Sequence, residues 1–156
     1  MKFVLCTIAS TEEKWSASAT ELYLEKISHF TKIEVLQLKP AKISRDSSEE
    51  KRKSETVSIL GALKPDDFVI LLDERGRGID SIQFSKQVES ILQSGKKRCV
   101  WVVGGAYGVG QEVQDRANLK ISLAPFVLNH LLARVVLLEQ LYRAFTIIKN
   151  IPYHNK

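Results

Sequence analysis

Four glycines crowd one short stretch, Val102-Val103-Gly104-Gly105-Ala106-Tyr107-Gly108-Val109-Gly110, directly after an apolar run. Glycine carries no Cβ, so a glycine-rich turn behind a buried strand lets backbone N–H groups come close to a ligand. Spacing excludes two common phosphate-binding forms. No Lys-Ser or Lys-Thr pair closes the run as a P-loop requires, and Gly-x-Gly-x-x-Gly does not occur. The loop also lies two-thirds of the way along the chain, far from the first strand, where a dinucleotide fingerprint sits.

Such a loop needs a strand to present it, and the pattern supplies several. Phe3 to Ala9 reads as a buried strand, followed by Ser10-x-x-Glu13, a capping-box spacing that opens a helix to about His29. Ile33 to Leu38 alternates as a strand does. Beyond Pro40, Ser47-x-x-Glu50 opens a charged helix that ends near Gly61. Phe68 to Leu72 is a β-branched and apolar run typical of a parallel sheet. Asp80-Ser81-x-Gln83 opens another helix, stopped by Gly95. Cys99 to Val103 is the strand before the glycine loop, with a short helix around Glu112 to Arg116 and a last strand over Leu119 to Leu123. A long helix from about Leu128 to Asn150 closes the chain.

Alternating strands and helices predict a single α/β domain over 1–156, a mostly parallel sheet with helices on both faces. In such sheets ligands bind beyond the carboxyl ends of the strands. Three loops share that edge if the strands are parallel: Leu72 to Gly78, Gly104 to Gly110, and Leu123 to Leu128. The final helix carries an apolar arc wider than one core face needs, which suits a central helix or one shared with a second subunit. The expectation is a homodimer through this helix.

Composition narrows the function. At 156 residues, 44% hydrophobic and 26% charged, the chain suits one folded domain. No apolar run approaches the ~20 residues that span a bilayer, and no signal peptide is read, so no membrane partner is expected. Cys6 and Cys99 lie in apolar strand contexts and read as buried reduced thiols, with no metal site; together these point to the cytoplasm. A net charge of +5 is compatible with a nucleic-acid partner. The basic residues are nonetheless dispersed over Arg45 and Lys51-Arg52-Lys53, Arg75 and Arg77, Lys96-Lys97-Arg98, and a last group of Arg143, Lys149, His154 and Lys156. Charge alone decides nothing.

The segments Leu72-Asp73-x-x-Gly76, Val103-Gly104-Gly105-Ala106-x-Gly108, Ser122-Leu123, His130-x-x-x-Arg134, Glu139-Gln140-x-Tyr142-Arg143-Ala144 and Pro152-Tyr153-His154 together resemble the RlmH (YbeA) family over essentially the full length. These are SPOUT-class methyltransferases that modify N3 of a pseudouridine in 23S rRNA of the assembled ribosome. The resemblance implies a C-terminal trefoil knot, an exception to the usual absence of knots. It also implies a dimer and S-adenosyl-L-methionine as cofactor. Carried onto this chain, the cofactor contacts are Leu72, Gly104, Gly105, Leu123, Ala124, Pro125, Phe126, Val127 and Leu128. The stretch Phe126-Val127-Leu128-Asn129 departs from the family's threonine-containing arrangement, which removes a hydroxyl contact.

Methyl transfer to an imide nitrogen needs alignment of the two reactants, management of the N3 proton and stabilisation of charge on the pyrimidine oxygens. The resemblance assigns this work to Arg143, His130, Tyr153 and His154. Simpler roles compete: Arg143 is four residues from Glu139, a helical ion-pair spacing, and His130 near a helix start can merely pack. Arg75 and Arg77 flank a cofactor-edge loop and could bind phosphate, Lys51-Arg52-Lys53 reads as a solvated helix face, and Trp15 and Trp101 read as core or interface. The competing function is a non-catalytic ribosome-binding factor with a degenerate SPOUT fold; a tRNA methyltransferase of the same class is disfavoured by the tail.

Overall fold

The computed structural model describes residues 1–8, 13–39, 42 and 47–154. Ala9, Ser10, Pro40, Arg45 and Lys156, invoked above, lie outside the described residues.

Among the described residues five strands alternate with five helices: β1 (Lys2–Ile8), α1 (Lys14–Ser28), β2 (Lys32–Leu38), α2 (Ser48–Ala62), β3 (Phe68–Gly78), α3 (Ser81–Gln93), β4 (Arg98–Val103), α4 (Gln111–Arg116), β5 (Leu119–Ser122) and α5 (His130–Ile148). The strands form one sheet in the order β2-β1-β4-β3-β5, every neighbouring pair parallel. The apolar runs of β1 and β4 follow from this, because both faces of a parallel sheet are covered. Phe3, Leu5, Cys99, Trp101 and Val103 point to one face and pack with Ile27 of α1, Phe84, Val88 and Ile91 of α3, and Leu137, Leu138, Leu141 and Phe145 of α5. Val4, Cys6, Ile8, Val100 and Val102 point to the other, under Ile59 of α2 and Val113 of α4.

Capping explains some helix starts and not others. Asp80 and Gln83 make the full reciprocal box expected of them, with Gln83 N donating to Asp80 Oδ1 at 2.7 Å and Asp80 N donating to Gln83 Oε1 at 3.1 Å. The reading of Glu13 as the third residue inside a helix is corrected: Glu13 is itself the N-cap residue of α1, and its side chain makes no cap bond. Ser47 does stand at the N-cap of α2, also without a side-chain cap bond.

The larger correction concerns β3. The segment 72–78 reads as a loop because Asp73-Glu74-Arg75-Gly76-Arg77-Gly78 is charged and glycine-rich, yet the strand runs on to Gly78. Its pairing with β5 breaks register in the middle, so that Ile121 partners both Leu72 and Arg77. Residues 73–76 therefore arch across the β5 backbone. Gly76 makes the crossing possible, since a Cβ there would lie 2.6 Å from the Ile121 carbonyl carbon and 2.7 Å from its amide nitrogen.

The two cysteines are free and fully buried, on opposite faces of the sheet. Burial pushes the Cys6 thiol up to about 11, from an ordinary value of 9.0, and pushes Cys99 up as well, with Asp67 adding to the effect. The neutral thiols are thus favoured by folding. Their contribution to stability is complete below pH 9 and declines as the pH rises through the folded values. Thiol titration checks this: neither cysteine reacts at neutral pH in the folded protein, and both react in denaturant.

Candidate active site

The arched end of β3 and two loops at the carboxyl edge of the sheet enclose a cavity of about 480 Å³, a size within the range of small-molecule sites. Leu72 and the arch over 73–75 form one wall, Gly104 to Val109 a second, and Ser122 to Leu128 a third. Of the residues expected to hold a cofactor, Leu72, Gly104, Gly105, Leu123, Ala124, Phe126, Val127 and Leu128 line the cavity, and Pro125 is not among the lining residues. The departure at 126–129 leaves the wall in place: Phe126, Val127 and Leu128 face the cavity. Asn129 caps α5, accepting a hydrogen bond from Leu131 N at 2.9 Å.

The glycine loop is held from behind by α2. Gly110 N donates to Thr56 Oγ1 at 2.7 Å, and the Glu55 carboxylate fills the place a Cβ would take on Gly105. Both side chains are buried, Glu55 at 2% exposure and Thr56 at 3%. Neither carries a local sequence signal; only the fold brings α2 to this loop, 54 residues away in the case of Thr56.

The four candidate catalytic residues fall into two groups. His130, the first residue of α5, lines the cavity together with Ala133. Arg143, Tyr153 and His154 do not. Thirteen residues of helix separate Arg143 from His130, about 20 Å at 1.5 Å per residue, which puts the second group at the far edge of the sheet.

That second group is well built. α5 ends in a left-handed turn at Asn150 (φ 54°), with Ile151 N donating to Thr146 O at 2.8 Å and Asn150 N to Ile147 O at 3.1 Å, the Schellman pattern. The chain is thereby turned back along the helix. Tyr153 meets Tyr142 edge-on at 4.8 Å between ring centroids, and its hydroxyl donates to Glu139 Oε1 at 3.1 Å. Arg143 lies 4.7 Å from the Tyr153 ring centroid and donates to Glu139 Oε1 through Nε at 3.0 Å and Nη2 at 2.5 Å. Its Nη1 faces His154 Nδ1 at 3.3 Å; a guanidinium can only donate, so that nitrogen accepts.

The hydrogen bond with Glu139 raises the Arg143 pKa above its ordinary value, against an opposing cost of burial. Burial, reinforced by hydrogen bonds with Tyr23 and Glu139 and by the Glu139 charge, pushes the Tyr153 hydroxyl up as well. Arg143 therefore stays charged and Tyr153 stays protonated at neutral pH. Both are donors there, and neither can take up a proton.

Elsewhere the basic and aromatic residues divide. Arg75 and Arg77 are exposed, Arg75 pairing with Asp73 Oδ1 at 3.3 Å on the cavity rim. Lys53 pairs with Glu49 on a solvated helix face, as read, whereas Lys51 reaches over the Tyr107 ring. Trp101 is core; Trp15 is not, being 47% exposed. Among the described residues no cluster of three or more His, Cys, Asp or Glu could hold a metal ion, and no helix is long and apolar enough to cross a membrane.

The fold is thus a parallel α/β sheet with a cavity of small-molecule size at its carboxyl edge, one wall rich in glycine and one strand arched across by another. Residues 1–154 match the family described as predicted SPOUT methyltransferase, and the chain belongs to that family. It is 52% identical over 155 residues to the ribosomal RNA large subunit methyltransferase H of Bdellovibrio bacteriovorus, covering 99% of both chains. It is 38% identical over 157 residues to the protein of the same name from Porphyromonas gingivalis, covering both completely. These relatives bear out the resemblance to the RlmH family. A solved structure of a probable methylase family protein from Haemophilus influenzae Rd KW20 shares the fold, with a TM-score of 0.57 at 16% identity over 99% of this chain and 70% of that one.

Proposed function

We propose that this protein methylates N3 of a pseudouridine in 23S rRNA of the assembled ribosome, using S-adenosyl-L-methionine, in the cytoplasm. The observation that carries the reading is the continuous cavity at the carboxyl edge, built by loops of a chain matched end to end by large-subunit rRNA methyltransferases. The fit to the cofactor rests on this geometry: the cavity is of small-molecule size, and the glycine loop can hold its place in the wall because residue 105 has no Cβ to collide with Glu55 behind it. Bound there, S-adenosylmethionine supplies an electrophilic methyl group. The arch of 73–76 across β5 is read as part of the family's trefoil knot.

The remaining chemistry belongs to the protein. Loss of the N3 proton spreads negative charge onto the flanking carbonyl oxygens of the pyrimidine. Arg143 and Tyr153, both donors, suit that charge. Within one chain they stand about 20 Å from the cavity along α5, too far to act on a base held there. We therefore place the tail group of one copy beside the cavity of another, in a homodimer. The apolar arc of α5 does not by itself require a partner, since α1, α3 and the sheet cover most of it. What stays exposed around the start of α5 is Phe126 at 66%, Val127 at 76%, Leu132 at 41% and, on α1, Trp15 at 47%. Two copies packed with α5 antiparallel would cover this patch and set the end of one helix beside the start of the other.

Two measurements test the reading. Calorimetry is expected to show S-adenosylmethionine and S-adenosylhomocysteine binding; failure to bind either favours a ribosome-binding factor with a degenerate fold. Light scattering at micromolar concentration is expected to give twice the chain mass, and a monomer would remove the shared site. Nothing in the cavity favours the binding-factor reading, because the altered 126–129 stretch still forms its wall.

A further inference from the structure

The tip of the glycine loop carries a side chain that cofactor binding does not explain. Gly108 N donates to Gly105 O at 3.0 Å, closing a four-residue turn with Ala106 and Tyr107 at its corners, and Gly108 adopts φ +72°. Tyr107 is therefore held out on a short, closed turn, 39% exposed, where it lines the mouth of the cavity. The turn is anchored behind by Thr56 and Glu55. Lys51 stands one helical turn before Glu55 and on the same side of α2, its Nζ 5.5 Å from the centroid of the Tyr107 ring. Arg75 projects from the opposite rim, its side chain 75% exposed.

An exposed aromatic ring with a cation against it is an arrangement that holds an unpaired nucleotide: the base stacks on the ring and the phosphate meets the cation. We infer that Tyr107 and Lys51 form a clamp for an unpaired nucleotide of the RNA substrate at the mouth of the cofactor cavity. The inference rests on the reading of the protein as an rRNA methyltransferase. It adds a contact on the rim of the cavity's own chain, distinct from the distant tail group. Stacking on this ring also holds the nucleotide at the edge of the cavity, where a reacting base must enter.

The test is binding of intact ribosomes lacking the modification, measured with S-adenosylhomocysteine present so that affinity is read without turnover. Tyr107→Ala is expected to weaken ribosome binding on the order of tenfold, while Tyr107→Phe stays within about twofold because stacking does not need the hydroxyl. Lys51→Gln is expected to weaken binding several-fold at low salt and to lower the slope of log affinity against log salt by about one. S-adenosylhomocysteine affinity, measured by calorimetry, is expected to stay at the wild-type level in Lys51→Gln and Tyr107→Phe and to fall less than ribosome affinity in Tyr107→Ala, and binding in each variant also shows that it folds. A loss of S-adenosylhomocysteine affinity in Tyr107→Ala with ribosome binding intact would overturn the clamp and make Tyr107 a cofactor wall. Unchanged ribosome binding in both Tyr107→Ala and Lys51→Gln would overturn it too, as would wild-type protein that binds no ribosomes. If the wild type binds ribosomes but transfers no methyl group, the functional reading fails while the clamp is still decided by the variants.

Discussion

Replacing Arg143 with alanine lowers the rate of methyl transfer at saturating S-adenosylmethionine and ribosomes by about a hundredfold to a thousandfold. That is the size of effect seen when one preorganised donor to a developing oxyanion is removed. Lysine at this position restores little, because a point charge does not reproduce the planar fork that now engages Glu139 and faces His154. Cofactor affinity is expected to change far less than the rate, because the role assigned to Arg143 is to donate to the pyrimidine oxygens of the substrate. Folding is barely affected. The Arg143–Glu139 pair keeps 24% and 20% of its side-chain surface exposed, and such pairs contribute about 1 kcal/mol or less. Single-turnover rates, with melting curves as the control, decide the matter: unchanged methylation in a folded Arg143→Ala protein would reduce the pair to a helical i,i+4 contact.

Gly105→Val abolishes cofactor binding, with affinity for S-adenosylmethionine falling by about a hundredfold or more. A Cβ on residue 105 would collide with the Glu55 carboxylate. Glu55 is 2% exposed, so making room for the valine means displacing a buried carboxylate, the loop, or both. A displacement of about 1 Å in a positioning loop is enough for a hundredfold loss. The same substitution leaves the sheet and its two cores untouched, because Gly105 lies beyond the end of β4. Calorimetry with S-adenosylmethionine reads the effect directly, and wild-type affinity in Gly105→Val would show that the glycine loop does not carry the cofactor.

The parallel sheet was legible because its strands announce themselves. Phe68 to Leu72 and Cys99 to Val103 are apolar on both faces, and Asp80 with Gln83 marks a helix start that the structure reproduces bond for bond. The gathering of residues 72–78, 104–110 and 123–128 at one edge followed from that topology alone, although the first of them is strand. Two features were hidden for physical reasons. The second half of β3 is charged and glycine-rich, and it becomes strand only because β5, some 45 residues later, pairs with it across a break in register. The grip of α2 on the glycine loop depends on Thr56 and Glu55, whose spacing from Gly105 and Gly110 has no local signature. The division of the candidate site was, by contrast, available in advance. Once residues 130–148 are a helix, His130 and Arg143 must lie about 20 Å apart, and no single chain can bring both to one base. The wide apolar arc of that helix was read as a dimer face, yet most of it packs against α1, α3 and the sheet, so the dimer has to be argued instead from the exposed residues around its start.

The central claim is tested most directly by incubating the protein with labelled S-adenosylmethionine and ribosomes from a strain lacking the modification, then mapping the labelled base. The account predicts label on N3 of a pseudouridine in 23S rRNA. Absence of label from all rRNA would contradict it.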